Sequence, residues 1–181
     1  MRNDAARIRR PVEGELLLLQ EIERRAGAPF AEIGLEEIAQ DDPPSLDELR
    51  EALAADQLWV SVDEEDAPWA YLFAIEVDGL PHVEQVSVDP RGARRGLGRQ
   101  LIEFVAESAR RKGASAMTLT TFRDVPWNAP YYERLGFRTL DEAELGPELI
   151  ALRREEIERG LDRWPRVAMR RELPSSSGVD S

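Results

Sequence analysis

The stretch from residue 82 to residue 113 restricts the fold most. Residues 82–88 alternate in the manner of a strand, Asp89-Pro90 ends it, and a turn with Arg91, Arg94, Arg95 and Arg99 leads straight into a helix over 96–112. Leu97, Leu101, Val105 and Ala109 repeat every four residues, and Ile102 and Ala106 widen the apolar stripe. Arg110, Arg111 and Lys112 suit the negative end of the helix dipole, and Gly113 is a good stop. A helix with one apolar stripe needs a layer to bury it, so this segment calls for a sheet with helices packed on it.

The remaining signals fit that demand. A short strand is expected over 8–12 and a helix over 15–26, with Leu16, Leu19, Ile22 and Glu23 at helical spacing and Gly27 placed to end it. After the breaker cluster Asp41-Asp42-Pro43-Pro44, Ser45-Leu46-Asp47-Glu48 is a capping-box sequence opening a helix to about Ala55. Strands are expected over 58–62 and 69–77, and Asp78-Gly79 is a hairpin signal before the strand at 82–88. On that strand His82, Glu84, Val86 and Val88 share a face, because side chains alternate with period two. Further on come a strand at 116–122, a short helix at 127–135, a strand at 136–140, a helix at 149–161 and a strand at 166–173. This order predicts a mixed α/β sheet in one domain, residues 1–173, with a disordered Ser/Gly tail at 174–181.

Composition narrows the function classes. The chain has 181 residues, suited to one domain with a real core, and no apolar run long enough for a membrane helix or a signal peptide core. It has no cysteine and a single histidine, His82, which argues against a thiolate or His-built metal site. The net charge of −12 argues against nonspecific nucleic-acid binding and is compatible with a cationic or amine-bearing substrate. A cytoplasmic protein is the default expectation.

Against this acidic background the arginine-rich turn stands out. A helix N-terminus presents unpaired N–H groups and roughly half a positive charge. Gly96 and Gly98 lack a Cβ and let an anion approach the backbone, and arginines add charge-assisted contacts. That combination suits a pyrophosphate. A P-loop would need Gly-Lys-Ser/Thr, which is absent, and a dinucleotide fold would need a glycine where Leu101 stands.

These residues resemble the GNAT (Gcn5-related N-acetyltransferase) superfamily. Its Q/R-x-x-G-x-G/A signature is matched by Ala93-Arg94-Arg95-Gly96-Leu97-Gly98, with Ala93 departing at the first position, where Arg91, Arg94 or Arg95 would compensate. About 30 residues on, Asn128-Ala129-Pro130-Tyr131-Tyr132-Glu133-Arg134-Leu135-Gly136-Phe137 is similar to the superfamily's N-x-x-x-Y-x-x-x-G-F segment. The resemblance covers about residues 58–140. It implies a GNAT-like fold, a central mostly antiparallel sheet with splayed strands and flanking helices, and an N-acetyltransferase that uses acetyl-CoA and an amine acceptor. Small members often dimerise, which makes a homodimer the assembly to test.

The resemblance also implies site roles. The strand before the turn and the strand at 116–122 would splay, with the pantetheine arm of CoA pairing with the backbone around Val86, Ser87 and Val88. The pyrophosphate would sit on Arg94, Arg95, Gly96, Leu97, Gly98 and Arg99. Asn128 would contact the cofactor arm or cap the helix that follows it. A lysine-like amine is neutral roughly once in 2,500 molecules at pH 7, a handicap of about 4.6 kcal/mol. A general base reduces it. Glu84 is the leading candidate, with His82 or water as alternatives. Tyr132 would donate to the departing thiolate, and Tyr131 is the competing choice if the register slips by one. The principal rival reading is a noncatalytic acyl-CoA-binding regulatory module. Tyr132 together with a nearby carboxylate favours the enzyme. The acceptor itself has no readable motif.

Overall fold

The computed structural model describes residues 7–175. Seven strands occur there: β1 (Arg7–Arg9), β2 (Leu58–Val62), β3 (Pro68–Val77), β4 (Leu80–Val88), β5 (Ala116–Phe122), β6 (Arg138–Thr139) and β7 (Arg166–Glu172). Six α-helices accompany them: α1 (Leu16–Glu32), α2 (Glu36–Ala39), α3 (Leu46–Ala54), α4 (Leu97–Arg111), α5 (Ala129–Arg134) and α6 (Pro147–Glu158). The strands hydrogen-bond in the order β1-β2-β3-β4-β5-β7-β6. The β1–β2, β2–β3, β5–β7 and β6–β7 ladders are antiparallel, and β4–β5 is parallel. The expected mixed, mostly antiparallel sheet with flanking helices is the observed one.

Two compact units divide the chain. One takes the residues up to Ala74 and Gln85–Val105, the other Ile75–Glu84 and the residues from Ala106 on. In the first, β1, β2 and the start of β3 form the sheet, with Arg9 opposite Val60 and Leu58 opposite Phe73. Leu16, Leu19 and Ile22 from α1 and Leu49 and Ala52 from α3 bury against Leu58, Val60, Val62 and Tyr71. Each such aliphatic side chain contributes about 1.5–3 kcal/mol on leaving water. Ser45 caps α3 as its sequence suggests: its hydroxyl accepts from Glu48 N at 3.2 Å, and Glu48 Oε2 accepts from Ser45 N at 2.7 Å.

Two boundaries in this unit differ from expectation. Gly27 does not end the first helix, which continues through Pro29 to Glu32. A single interior glycine costs a helix only about 1 kcal/mol, and an added Cβ at Gly27 would make ordinary contact, 3.4 Å from the carbonyl oxygen of Ala39 on α2. The opening strand stops at Arg9, not Val12. Pro11 has no N–H for a ladder, and the N–H of Val12 donates instead to Glu15 Oε2 at 2.9 Å.

In the second unit β5 is held along its whole length by β7, from Ala116 opposite Glu172 to Phe122 opposite Arg166. Its parallel ladder with β4 holds His82 opposite Thr118 and Val83 opposite Leu119. Val77, Ala168 and Leu149 of α6 form a small core, with Ile75, Leu140, Leu145 and Leu152 packed around it. The hairpin tip has Asp78 and Gly79 both at positive φ, 51° and 72°, as the Asp-Gly pair requires. Asp78 also reaches α6: its carboxylate accepts from the N–H groups of Glu148 at 2.9 Å and Leu149 at 3.1 Å. α6 starts two residues before the expected position, at Pro147, and ends at Glu158, before Gly160 at φ 78°. The expected tail begins at Pro174, and its residues 176–181 lie outside the described residues.

Candidate functional site

The turn before α4 belongs to the first unit. Asp89 is buried and is the hub of its first half. Its carboxylate accepts from Arg91 N at 2.9 Å, Arg91 Nε at 2.9 Å, Arg91 Nη2 at 3.0 Å and Arg25 Nη1 at 2.6 Å. These donors hold the Asp89 carboxyl at a pKa of about 2, below the usual carboxylate range. Gly92 is buried behind it, where a Cβ would come within 2.8 Å of the Leu97 side chain and 3.3 Å of the Trp69 ring. The chain then turns outward. Ala93, Arg94, Arg95 and Gly96 are exposed, and Arg94 and Gly96 take positive φ, 61° and 72°. The helix begins at once, with Gln100 N donating to the carbonyl of Gly96 at 3.0 Å. Leu97 and Gly98 are buried in its first turn, while Arg99 is exposed.

The arginines here divide into two kinds. Arg91 is paired with Asp89, which anchors the turn. Arg94, Arg95 and Arg99 have no ion pair among the described residues. In a chain of net charge −12, three neighbouring arginines without carboxylate partners at a helix N-terminus are a combination that suits an anion. On β4, Ser87 is buried with its hydroxyl accepting from Gln85 Nε2 at 2.8 Å, while Val86 and Val88 are half-buried.

The second unit holds the other candidates. Glu84 is open to solvent but crowded by protein, and this desolvation raises its pKa above the ordinary carboxylate value. The negative charge of Glu156 adds to the rise, and Arg159 and Arg166 oppose it. Glu156 is itself buried, accepting from Arg166 Nη2 at 2.9 Å, from Arg153 and from the Thr120 hydroxyl. His82, two residues before Glu84, is buried, with Nδ1 2.8 Å from Thr118 Oγ1. Burial lowers its pKa to about 4, so the ring is neutral at pH 7. His82 and Glu84 therefore differ in access: only Glu84 is exposed.

Tyr132 is buried on α5, edge-on to Phe137 at 5.8 Å and to Tyr131 at 5.3 Å. Burial raises its phenol pKa, so it is fully protonated at pH 7. Asn128 precedes this helix, but its side chain makes no capping bond. Instead Nδ2 donates to Thr121 Oγ1 at 2.7 Å, and Oδ1 is buried with no hydrogen-bond partner. A buried amide oxygen left open is uncommon.

Sequence reasoning missed Trp69, Asp89 and Arg25 as parts of the turn. Trp69 and Arg25 lie far from it in sequence, on β3 and α1, and only the fold brings them to it. Gly92 and Asp89 were visible beside the signature, but they read as simple turn residues.

Comparison with known proteins places these features in a family. The model of the acetyltransferase (GNAT) family matches residues 19–137. An S-(2-succino)cysteine N-acetyltransferase of Bacillus subtilis (strain 168) is 31% identical over 70 residues, covering 38% of this chain and 42% of that protein. A glucosamine 6-phosphate N-acetyltransferase of Trypanosoma brucei brucei is 40% identical over 57 residues, 32% of this chain and 37% of that protein. The chain thus matches less than half the length of either relative. Among solved structures, a GNAT-family acetyltransferase from Staphylococcus aureus Mu50 superposes with a TM-score of 0.69 at 14% identity, covering 93% of this chain and 99% of that one. The PaiA N-acetyltransferase of Thermoplasma acidophilum, solved in complex with coenzyme A, gives 0.67 at 14% identity, covering 92% and 98%. At these identities the likeness is one of fold.

Proposed function

Because the chain belongs to the GNAT family of acetyltransferases, we propose that it moves an acetyl group from acetyl-CoA to a primary amine of a small molecule or peptide by direct attack. One observation carries this reading: Arg94, Arg95 and Arg99, without ion pairs among the described residues, surround the first turn of α4 in a strongly acidic protein. A pyrophosphate gives them partners and uses the free N–H groups of the helix start. The family match supports the reading, as do the coenzyme A complexes of proteins with this fold.

In the second unit, the open Oδ1 of Asn128 is an acceptor for an amide N–H such as pantetheine carries. In the first, the backbone around Val86, Ser87 and Val88 offers a strand edge to an amide-bearing arm. In the reaction the neutral amine nitrogen attacks the acetyl carbonyl carbon. The C–S bond breaks, the amide forms, and the thiolate leaves. Glu84 takes the proton that the amine nitrogen sheds, directly or through water; its raised pKa makes it a stronger base than a free carboxylate. Tyr132, held protonated, donates its O–H to the thiolate sulfur.

We take residues 1–173 as one acyltransferase domain. The reading also carries a cytoplasmic location and a homodimer, with neither nucleic acid nor membrane as substrate. The net charge of −12 supports the exclusion of nucleic acid. No helix among the described residues is long and apolar enough to cross a membrane.

The test is calorimetry with acetyl-CoA, followed by acetyl-CoA consumption across a panel of amines read out as free thiol. Micromolar binding that 3′-phospho-ADP displaces, with thiol release on at least one amine, is the expected result. No binding at millimolar acetyl-CoA overturns the reading. Binding without thiol release on any amine favours the regulatory-module alternative.

A further inference from the structure

Trp69 lies on β3 beneath the arginine-rich turn. The guanidinium of Arg95 lies over its ring at 5.1 Å from the centroid, and that of Arg91 at 5.6 Å. Gly92 sits against the same ring, since a Cβ there would come 3.3 Å from Cε3. The backbone is fastened at this point too, with Asp89 N donating to the carbonyl of Trp69 at 2.8 Å. The turn is therefore laid over an indole face. Arg91 has a second restraint in Asp89. Arg95 does not: among the described residues it has no carboxylate partner, and its guanidinium contact is the Trp69 face.

We propose that Trp69 is a positioning residue for acetyl-CoA, holding the Arg95 guanidinium at the turn so that it meets the pyrophosphate without first being ordered. A free arginine side chain loses rotamer entropy when it is fixed on a ligand. A cation held over an indole face is already restrained, by an attraction that keeps the positive charge available. A carboxylate would restrain it equally well but would neutralise the charge that the phosphates need. The division of labour follows: Asp89 orders Arg91 as a structural anchor, and Trp69 orders Arg95 as a phosphate ligand.

This inference rests on the acyltransferase reading. The test measures acetyl-CoA affinity and steady-state kinetics for Trp69→Leu, Trp69→Phe, Arg95→Leu and the double variant Trp69→Leu/Arg95→Leu. Trp69→Leu should weaken acetyl-CoA binding and raise its KM by about tenfold, leaving kcat at saturation unchanged, because Trp69 is not placed at the reacting atoms. Trp69→Phe should keep most of the affinity, since it retains an aromatic face. The double variant should be little worse than Arg95→Leu alone, because Trp69 acts through that side chain. If the two single losses add, Trp69 acts otherwise and the proposal fails. If Trp69→Leu lowers kcat with KM unchanged, it fails likewise. If Trp69→Leu does not fold, the comparison of Trp69→Phe alone with Trp69→Phe/Arg95→Leu decides in the same way. Failure of the unsubstituted protein to bind acetyl-CoA overturns the acyltransferase reading instead, and this inference with it.

Discussion

The carboxylate of Asp78, at the tip of the β3–β4 hairpin, fills the space that a Cβ on Gly146 would occupy. The two residues meet because Asp78 serves as the N-terminal cap of α6, accepting from Glu148 N and Leu149 N, while residue 146 is the N-cap position itself. Gly146 contributes no side chain, and the hairpin supplies the acceptor. Gly146→Ala should therefore destabilise the protein by about 1–3 kcal/mol through the clash. Asp78→Ala should cost about 1–2 kcal/mol by leaving the helix start uncapped. Urea unfolding of both variants checks this; unchanged midpoints would mean the two elements are not fastened as described.

His82 supplies a prediction with a defined pH window. Its pKa falls from 6.5 in the unfolded chain to about 4 in the folded protein. Between those values the unfolded chain binds a proton that the native state refuses, so native stability falls as pH drops from about 6.5 to 4. The loss approaches about 1.4 kcal/mol per pH unit within the window and adds nothing more below it. His82→Gln should flatten this part of the stability–pH curve, as denaturant unfolding at intervals from pH 7 to pH 4 would reveal. A curve that keeps its full slope in His82→Gln would assign the effect to another group.

Glu84 governs the acid side of the rate, if it is the base. Its pKa is raised, so kcat/KM should fall as pH drops through a value above that of an ordinary glutamate. Glu84→Gln should lower the rate by roughly 10²- to 10⁴-fold and remove that acid limb. Retention of the limb in Glu84→Gln, in assays from pH 5 to 9, would return the role to water or another group.

Tyr132→Phe keeps the ring contact with Phe137 and removes only the hydroxyl. Stability should change little. The value of kcat should fall by roughly 10²- to 10⁴-fold with acetyl-CoA binding mostly retained, and Tyr131→Phe should be near neutral. Activity in Tyr132→Phe with loss in Tyr131→Phe would move the acid by one residue. Full activity in both would give thiolate protonation to solvent.

Gly98 is buried in the first turn of α4. Gly98→Val should block close approach of the phosphates and weaken acetyl-CoA binding at least tenfold, about 1.4 kcal/mol. Circular dichroism confirms that the variant is folded, and calorimetry reads the affinity. Unchanged affinity in a folded variant would move the pyrophosphate away from this turn.

Much of the fold is legible in the sequence where local chemistry decides. The Ser45–Glu48 box, the Asp78-Gly79 turn and the stop at Gly113 rest on interactions between near neighbours, and all occur. β5 occupies the expected residues 116–122. The failures arise where local signals do not decide. Gly27 looks like a stop but lies inside a helix that continues to Glu32, because a single glycine costs a helix only about 1 kcal/mol, and the four-residue α2 has too little periodicity to notice. The same holds at the site. The turn is readable from its glycines and arginines, yet that Arg91 pairs with Asp89 while Arg94, Arg95 and Arg99 have no ion pair among the described residues is not. Periodicity puts His82 and Glu84 on one face but does not tell that one is buried and the other exposed.

The open Oδ1 of Asn128 has a thermodynamic consequence for the ligand-free protein. An unsatisfied buried oxygen costs about 1–3 kcal/mol, a sizeable fraction of the 5–15 kcal/mol by which a domain of this kind is usually stable. The protein therefore sits below its attainable stability at this position, and on the acyltransferase reading a donor from acetyl-CoA would lift the deficit. Robustness and readiness pull in opposite directions here: replacing both Asn128 and its partner Thr121 with apolar residues of similar size would harden the free protein while, on the acyltransferase reading, narrowing the gap in melting temperature between its empty and loaded forms.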